Sequence, residues 1–315
     1  MSSQKAYRLH TYGGPESIRL DDVPIPAPGP SQVLVAVHTV AMNPFDWKIR
    51  EGYVKDSLVL DLPTTLGVDF VGTVAALGKS ASRFTVGDRV MTMSTSLGAF
   101  AEHIAVEESI LARVPDTLSD VDAATLPIPG LTAWQALHAA GDLHEGMRVL
   151  VHGASGTTGS MAVQFAKAAG AYVIGTASGK NRDYTMALGV DEFIDYQTER
   201  FDDRLRDVDL VIDCVLIGGH QDTTNRSWDV LKPGGAIVSI ADPAILDGVP
   251  EGYRGFFPQI EPDAATLETI ADQLATGKIT AKVARVFPRD ELLEVMEINK
   301  AGGTTGRLIV DFTNA

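Results

Sequence analysis

The fold is decided by Val149-Leu150-Val151-His152-Gly153-Ala154-Ser155-Gly156-Thr157-Thr158-Gly159, an apolar run that breaks into glycines. A second run, residues 161–169, has the composition of a helix that packs against a sheet. A strand, a tight glycine turn and a helix in this order place backbone N–H groups and the positive end of a helix where a pyrophosphate can bind. We therefore expect residues 153–159 to bind a dinucleotide.

The neighbouring sequence strengthens this interpretation. Residues 172–176 predict a second strand after Gly170, which completes a strand–helix–strand unit of about 30 residues. Gly156 and Gly159 fill two of the three usual glycine positions, whereas Ala154 stands in the first. The alternative is a glycine turn in an α/β sheet that binds no nucleotide.

Residues 177–182 indicate which dinucleotide is bound. An enzyme that uses NAD places an acidic side chain here for the ribose 2′-hydroxyl, and that charge would repel a 2′-phosphate. This chain has no acid at 177–182, but it has Ser178, Lys180 and Arg182. The predicted cofactor is NADP(H). The alternative for Lys180 and Arg182 is an ordinary solvated start of a helix.

Length and composition narrow the class of protein. The chain has 315 residues, 45% hydrophobic and 21% charged, which suits a soluble protein of two domains. Its net charge of −15 argues against nucleic acid or an anionic membrane as partner, so the cofactor needs a local positive pocket. Cys214 is the only cysteine, which excludes a disulfide framework within the chain. Without an apolar leader or a membrane-length apolar run, the expected compartment is the cytoplasm.

The pattern along the chain changes near residue 120. Before it, short apolar runs punctuated by glycine predict strands, and after it strands and helices alternate. The predicted elements are strands at 18–20, 32–40, 67–78, 84–91, 209–213, 236–240, 283–287 and 307–312, a turn at 232–235, and helices from 131, at 264–276 and at 290–299.

Taken together, these segments resemble the medium-chain dehydrogenase/reductase superfamily, and within it the zinc-free quinone oxidoreductase and enone reductase branch. The motifs are Gly67-x-Asp69-x-x-Gly72, Gly87-Asp88-Arg89-Val90, residues 98–103, Leu131-Thr132-Ala133-Trp134 and residues 188–196. The resemblance covers essentially the whole chain.

This resemblance implies an α/β protein of two domains. Residues 122–285 would form a Rossmann-type, doubly wound parallel sheet, and residues 1–121 and 286–315 a GroES-like β-barrel catalytic domain. A cleft between the domains would hold nicotinamide and substrate. The resemblance also implies a homodimer.

No bound zinc is expected. Zinc-dependent relatives carry a Cys ligand where this chain has Asn43 and a His ligand where it has Val68. Without a Lewis acid, oxidation of an alcohol loses its main electrophile. Reduction of a quinone, or of a carbon–carbon double bond conjugated to a carbonyl, needs only a hydrogen-bond donor near the oxygen.

The resemblance also implies roles for individual residues. It places Asn43 near the nicotinamide ribose and the substrate, and makes Tyr53 a candidate donor to the oxyanion or proton source; the alternatives are a turn-shaping Asn and a surface aromatic. Thr132 matches a threonine near the nicotinamide and Tyr196 a tyrosine near the adenosine, with a helix-start hydroxyl and an edge-strand aromatic as alternatives. Further expected cofactor contacts are Val215, Ile240 and Phe257, and the expected apolar pocket walls are Phe45, Leu97, Pro129 and Phe257.

Two functions fit these residues. The first is an NADPH-dependent reductase of enones or quinones. The second is a protein that binds NADPH with little or no turnover and acts as a sensor or an interaction partner. The apparently intact Asn43, Tyr53 and phosphate turn favour the enzyme.

Overall fold

The computed structural model describes residues 2–141, 143–215 and 223–313. Their contacts form two compact units. The first consists of Met1–Ile128, Glu261–Lys278 and Lys282–Ala315, and the second of Pro129–Ile260 and Ile279–Ala281. The first unit is therefore built from both ends of the chain.

The chain up to residue 126 is mainly strands. They are β1 (Ser3–Leu9), β2 (Ile18–Pro24), β3 (Gln32–Ala41), β4 (Thr64–Thr65), β5 (Asp69–Leu77), β6 (Arg89–Met93), β7 (His103–Glu107) and β8 (Ala112–Arg113), with helices α1 (Pro44–Arg50) and α2 (Asp120–Ala123). Short 3-10 turns occupy Pro15–Ser17 and Glu108–Ile110.

The middle of the chain alternates strands and helices. Its elements are α3 (Pro127–Ala139), β9 (Arg148–His152), α4 (Thr157–Ala168), β10 (Tyr172–Ala177), α5 (Arg182–Ala187), β11 (Glu192–Asp195), α6 (Phe201–Arg204), β12 (Val208–Asp213), α7 (Thr223–Ser227), β13 (Leu231–Ser239) and β14 (Arg254–Phe256). The last part comprises α8 (Ala264–Ala275), β15 (Val283–Pro288), α9 (Leu292–Ala301) and β16 (Arg307–Asp311). Further 3-10 turns lie at Gly179–Asn181, Trp228–Val230, Pro243–Leu246 and Arg289–Glu291.

The first unit contains two sheets. One has seven strands in the order β15-β16-β3-β5-β6-β8, with β7 also paired to β3, and the other has the order β2-β1-β4. In β3, Val33, Val35 and Val37 alternate with less buried residues, so one face packs into the core. The antiparallel pairing of β16 with β3 brings Val310 opposite Val40 and thereby attaches the C-terminal segment to the N-terminal sheet.

The second unit contains a six-stranded parallel sheet in the order β11-β10-β9-β12-β13-β14. Its central strands are continuous apolar runs, including Val149, Leu150 and Val151, because helices cover both faces of such a sheet. The strand order reverses direction between β9 and β12, and ligands of doubly wound sheets bind at the carboxyl ends of the strands at this point. The predicted Rossmann-type fold is confirmed.

The grouping of contacts differs from the predicted domain boundaries at 121/122 and 285/286. Helix α8 was assigned to the Rossmann part, yet it contacts β8, and the N–H of Arg113 donates to the Glu268 carboxylate at 3.0 Å. Residues 122–128 and 282–285 also belong to the first unit. The apolar pattern of α8 indicates that one face is buried but not which sheet buries it.

Candidate cofactor and active site

The predicted phosphate turn closes on its own backbone. Gly153 adopts a left-handed conformation with φ +70°, which favours glycine. A Cβ on Gly159 would lie 2.2 Å from the carbonyl oxygen of Gly153, so only glycine fits there. Ala154 is fully buried and its N–H donates to the carbonyl of Thr176 at 3.0 Å. The missing first glycine is therefore tolerated, because the left-handed residue is Gly153.

Helix α4 begins immediately after this turn. Its N-cap is Gly156, which supplies no side-chain acceptor for the N–H groups of the first turn. Those groups, together with the helix dipole, are what a pyrophosphate requires. The cradle thus fits the diphosphate of a dinucleotide.

The other predicted cofactor residues of this unit lie at one edge of the sheet. Each follows the carboxyl end of a parallel strand: Ser178 after β10, Tyr196 after β11, Val215 after β12, Ile240 after β13 and Phe257 after β14. Parallel strands present these ends at the same edge as the phosphate turn, which follows β9. The tertiary structure thus gathers a set that spans about a hundred residues of sequence.

Asn181 joins two parts of this edge, although sequence reasoning did not select it. Its amide nitrogen Nδ2 donates to Ser155 Oγ at 3.0 Å and to Ser178 Oγ at 3.3 Å. The amide therefore connects the phosphate turn with the residue expected at the 2′-phosphate. An Asn in a loop is so common that only the structure distinguishes this one.

The two cations of this segment have different surroundings. Lys180 is exposed at the start of the loop. The guanidinium of Arg182, the first residue of α5, lies 5.0 Å from the ring centroid of Phe193. This contact favours the alternative of a helix-start cation for Arg182, and it leaves Lys180 as the better candidate for a phosphate.

An acid also lies at this edge. Asp195 ends β11, and its Oδ2 is so close to Gly179 that a Cβ built on that glycine would be 2.4 Å away. Residues 177–182 themselves contain no acidic side chain, as expected, but the folded segment has the Asp195 carboxylate beside it. Asp195 was missed because it comes from the next strand.

Thr132 lies inside a helix. It is the sixth residue of α3 and is only 7% exposed, so it is not a helix-start hydroxyl. Pro129, an expected pocket wall, is buried in the first turn of the same helix. Phe257 is half-buried and packs against the core of the parallel sheet.

In the first unit, Asn43 is a fully hydrogen-bonded turn residue. Its Nδ2 donates to the carbonyl of Ala41 at 2.9 Å, and its Oδ1 accepts from Arg307 Nη1 at 2.9 Å. Its N–H donates at 2.8 Å to Asp46 Oδ2, at the start of α1. Asp46 anchors the turn through this hydrogen bond, and the Asn43 amide shapes it.

Asn43 belongs to a buried cluster with Asp46, Asp69 and Arg307, which we call the Asp46 cluster. Arg307 forms an ion pair with Asp69 Oδ2. Burial raises the pKa of Asp46 to about 7 and, against the attraction of Arg307, the pKa of Asp69 to about 6. In the described part of the chain, Asp46 Oδ1 and Arg307 Nε have no hydrogen-bond partner.

Tyr53 lies outside this cluster. It is 72% exposed, and its ring packs edge-on against Trp47 with centroids 5.9 Å apart. Phe45 is 40% exposed on α1, whereas Leu97 is buried in the core of this unit. The structure therefore presents Tyr53 and Phe45 at the surface of the unit and buries Leu97 and Asn43.

The residues at the zinc-ligand positions are unsuited to a metal. Asn43 is engaged as described and Val68 is apolar and buried. Among residues 2–141, 143–215 and 223–313, no three His, Cys, Asp or Glu side chains gather as a metal site would require. Burial raises the pKa of the Cys214 thiol, which makes it a poor ligand and nucleophile.

A separate cavity of about 290 Å³ opens at the opposite, amino edge of the parallel sheet. Arg254 lines it and donates to the carbonyl of Ala140 at 2.6 Å, while Lys232 pairs with Asp209. It contains none of the predicted cofactor residues.

None of the described helices has the length and apolar character that crossing a membrane requires.

Comparison with known proteins agrees with this geometry. Residues 29–116 match the family described as alcohol dehydrogenase GroES-like domain, and residues 188–310 match the zinc-binding dehydrogenase family. The quinone oxidoreductase of Mus musculus is 33% identical over 242 residues, 75% of this chain and 72% of the relative.

Solved structures extend the match to the full length. A quinone oxidoreductase from Coxiella burnetii is 32% identical, with a TM-score of 0.91 over 98% of this chain and 99% of the other. The Escherichia coli quinone oxidoreductase in complex with NADPH is 25% identical, with a TM-score of 0.87 over 98% and 99% of the two chains. The chain belongs to the quinone oxidoreductase branch of the medium-chain dehydrogenase/reductase superfamily. It is an oxidoreductase of that family.

Proposed function

We propose that this protein is an NADPH-dependent reductase of quinones or of α,β-unsaturated ketones and aldehydes that works without zinc. The observation that carries the proposal is the uncapped start of α4 behind the closed Gly153–Gly159 turn, at the same sheet edge as Ser178 and Lys180. The related Escherichia coli enzyme was solved with NADPH, which supports the choice of cofactor.

The chain's own residues would hold the cofactor in two places. The N–H groups at the start of α4 bind the pyrophosphate, and Ser178 and Lys180 bind the 2′-phosphate. Asn181 keeps Ser155 and Ser178 aligned through its amide. Bound NADPH supplies a hydride.

On the substrate, addition of hydride at the β-carbon of an enone leaves negative charge on the carbonyl oxygen. A donor at that oxygen stabilises the charge. A phenol is protonated at neutral pH and can donate, and the exposed Tyr53 suits this role. Asn43 would act beside the nicotinamide ribose, with its amide orientation held by Ala41 and Arg307.

The side chains at the two expected zinc-ligand positions cannot bind a metal in this arrangement, which supports the zinc-free part of the proposal. Val68 has no donor atom, and the Asn43 amide oxygen already accepts from the Arg307 guanidinium. Reduction of an enone or a quinone does not require such a cation.

One observation favours the second candidate, an NADPH-binding sensor or interaction protein. The polar groups of Asn43 are used inside its own unit, and Tyr53 is at the surface rather than in a preformed oxyanion site. Asn43 and Tyr53 would then shape a binding surface and take no part in catalysis.

A panel assay separates the two candidates. The purified protein is mixed with NADPH and a series of enones and quinones, and cofactor absorbance is followed. Oxidation of NADPH with any of them, at rates that scale with protein concentration, supports the reductase. Tight binding of NADPH without oxidation across the panel would replace it with the sensor.

A further inference from the structure

The carboxyl edge of the parallel sheet carries one charge that opposes the proposed cofactor. Strands β10 and β11 are parallel neighbours, and their register sets Ala177 beside Asp195. Ser178, Gly179 and Lys180 follow Ala177 directly. The last residue of β11 therefore lies next to the segment expected to bind the 2′-phosphate.

The carboxylate of Asp195 points toward this segment. A Cβ on Gly179 would meet Asp195 Oδ2 at 2.4 Å and its Cγ at 3.3 Å, so the carboxylate occupies the space that a side chain at 179 would need. The φ of Gly179 is not in the left-handed region, so backbone strain does not demand glycine there. Close approach of the carboxylate is the reason this position suits glycine.

The two oxygens of this carboxylate differ. Oδ1 accepts the N–H of Gln197 at 3.0 Å, which fixes the orientation of the group. Within the described ranges, Asp195 forms no ion pair with a Lys, Arg or His. Asp195 is half-buried, and its Oδ2 lies beside Gly179.

The geometry points to Asp195 as a specificity-determining residue that limits the preference for NADPH over NADH. This inference rests on the proposed cofactor site. A carboxylate accepts hydrogen bonds from the hydroxyl groups of the adenosine ribose, of which NADH has two and NADPH, with its 2′-phosphate, has one. The same carboxylate repels the 2′-phosphate that only NADPH carries. Lys180 and Ser178 attract that phosphate while Asp195 opposes it, so the net preference is the difference between the two effects.

The test compares two ligands that differ only in the 2′-phosphate. Isothermal titration calorimetry measures the dissociation constants of adenosine 2′,5′-bisphosphate (2′,5′-ADP) and 5′-AMP for the wild-type protein and for Asp195→Asn. The Asn side chain keeps an oxygen for the Gln197 N–H, so the turn is preserved. We expect 2′,5′-ADP to bind roughly fivefold more tightly to the variant, as for removal of one like charge a few ångströms away, with 5′-AMP unchanged or weaker.

Asp203→Asn is the matched control. Asp203 is exposed on α6, 3.8 Å from Arg200, and its substitution removes the same unit of charge from the same part of the chain. Asp203→Asn should keep the ratio of the two dissociation constants within twofold of the wild-type ratio. The effect of Asp195→Asn should also shrink at high salt, since it is electrostatic.

Three outcomes are decisive. The preference for 2′,5′-ADP is the dissociation constant of 5′-AMP divided by that of 2′,5′-ADP. A ratio that rises in Asp195→Asn and not in Asp203→Asn supports the inference. A ratio that is the same in both variants, while NADPH still binds, overturns the role of Asp195 and leaves the proposed function standing. If the wild-type protein binds neither 2′,5′-ADP nor NADPH, the proposed cofactor site fails and the inference fails with it. Should Asp195→Asn fold poorly, Asp195→Ser is measured in its place with the same expectation.

Discussion

At the scale of single residues, the site depends on charges that are few and close together. Lys180 is exposed beside Ser178, while Arg182 rests on the ring of Phe193. In a chain of net charge −15, Lys180 would then supply much of the local attraction for the proposed 2′-phosphate. The Asn43 amide, by contrast, is hydrogen-bonded to the carbonyl of Ala41 and to Arg307, which fix its orientation.

Lys180 should determine cofactor preference. We expect NADPH to bind at least tenfold more tightly than NADH, because a charge-assisted contact contributes on the order of 1.5–3 kcal/mol. Lys180→Ala should lose most of this preference, while Arg182→Ala keeps it. Quenching of protein fluorescence by each nucleotide gives the six affinities of the wild type and the two variants. Equal affinities in the wild type, or an unchanged preference in Lys180→Ala, would contradict the assignment.

Tyr53 should act in turnover and not in cofactor binding. If its hydroxyl donates to the developing enolate oxygen, Tyr53→Phe lowers turnover of an enone by roughly 10- to 1000-fold with nearly constant NADPH affinity. Single-turnover rates of Tyr53→Phe and Asn43→Ala with one good substrate measure this. A defect confined to Asn43→Ala would remove Tyr53 from the mechanism, and normal rates in both variants would remove the whole proposed site.

At the scale of elements, the turn between β9 and α4 packs closely on its own backbone and leads into a helix that begins without a side-chain cap. The backbone folds back until Gly159 touches the carbonyl of Gly153, and α4 then starts without a side-chain cap. Close packing fixes the direction of the helix, and the missing cap leaves its first N–H groups for a phosphate. A second such junction, between β3 and α1, is held by the Asp46 cluster.

A pair of glycine variants tests the phosphate turn. Gly159→Ala places a Cβ 2.2 Å from the carbonyl oxygen of Gly153, so the turn must open and NADPH binding should fall by at least tenfold. Gly156→Ala is the control, since its Cβ would lie 3.2 Å from the same oxygen. It should cost much less. Calorimetric titration with NADPH and thermal unfolding measure binding and stability, and equal losses in both variants would refute this account of the turn.

The Asp46 cluster should make stability depend on pH. Burial raises the pKa of Asp46 from 3.8 to about 7, so the folded protein holds a proton that the unfolded chain releases between these values. The contribution of Asp46 to the free energy of unfolding therefore falls as pH rises from about 4 to about 7, by an amount on the order of 2 kcal/mol. Asp46→Asn removes this dependence, so the variant should gain stability relative to the wild type with increasing pH. Urea unfolding at pH 5 and pH 8 tests it, and parallel profiles would disprove it.

Some elements were predictable from local pattern and others were not. The strands at residues 172–177 and 208–213 and helix α8 agree with their apolar patterns, because burial of one or both faces leaves a clear period. The turn predicted at 232–235 was wrong. These residues belong to β13, where the pairing with β12 shifts register between Val208 and Leu210, and Gly234 has φ +80°. A glycine in an irregular strand resembles a turn in sequence.

At the scale of the whole molecule, the chain forms one unit that contains the proposed nucleotide site and another that its two ends build together. The match to the zinc-binding dehydrogenase family spans residues 188–310, while the two positions where the resemblance implies zinc ligands in zinc-dependent relatives carry Asn43 and Val68. The purified protein should hold substoichiometric zinc by elemental analysis and keep its activity after chelation. One tightly bound zinc per chain, with activity lost on its removal, would overturn the zinc-free proposal.

The sequence by itself determined the phosphate turn, the parallel sheet around it and the family. A strand, a turn and a helix that follow one another interact locally, so the spacing of apolar residues and glycines specifies them. Only the tertiary structure decided which charges meet. Asp195 reaches Gly179 because β10 and β11 pair, and Arg307 reaches Asn43 because β16 pairs with β3. Such pairings join residues far apart in the chain, and no local pattern records them.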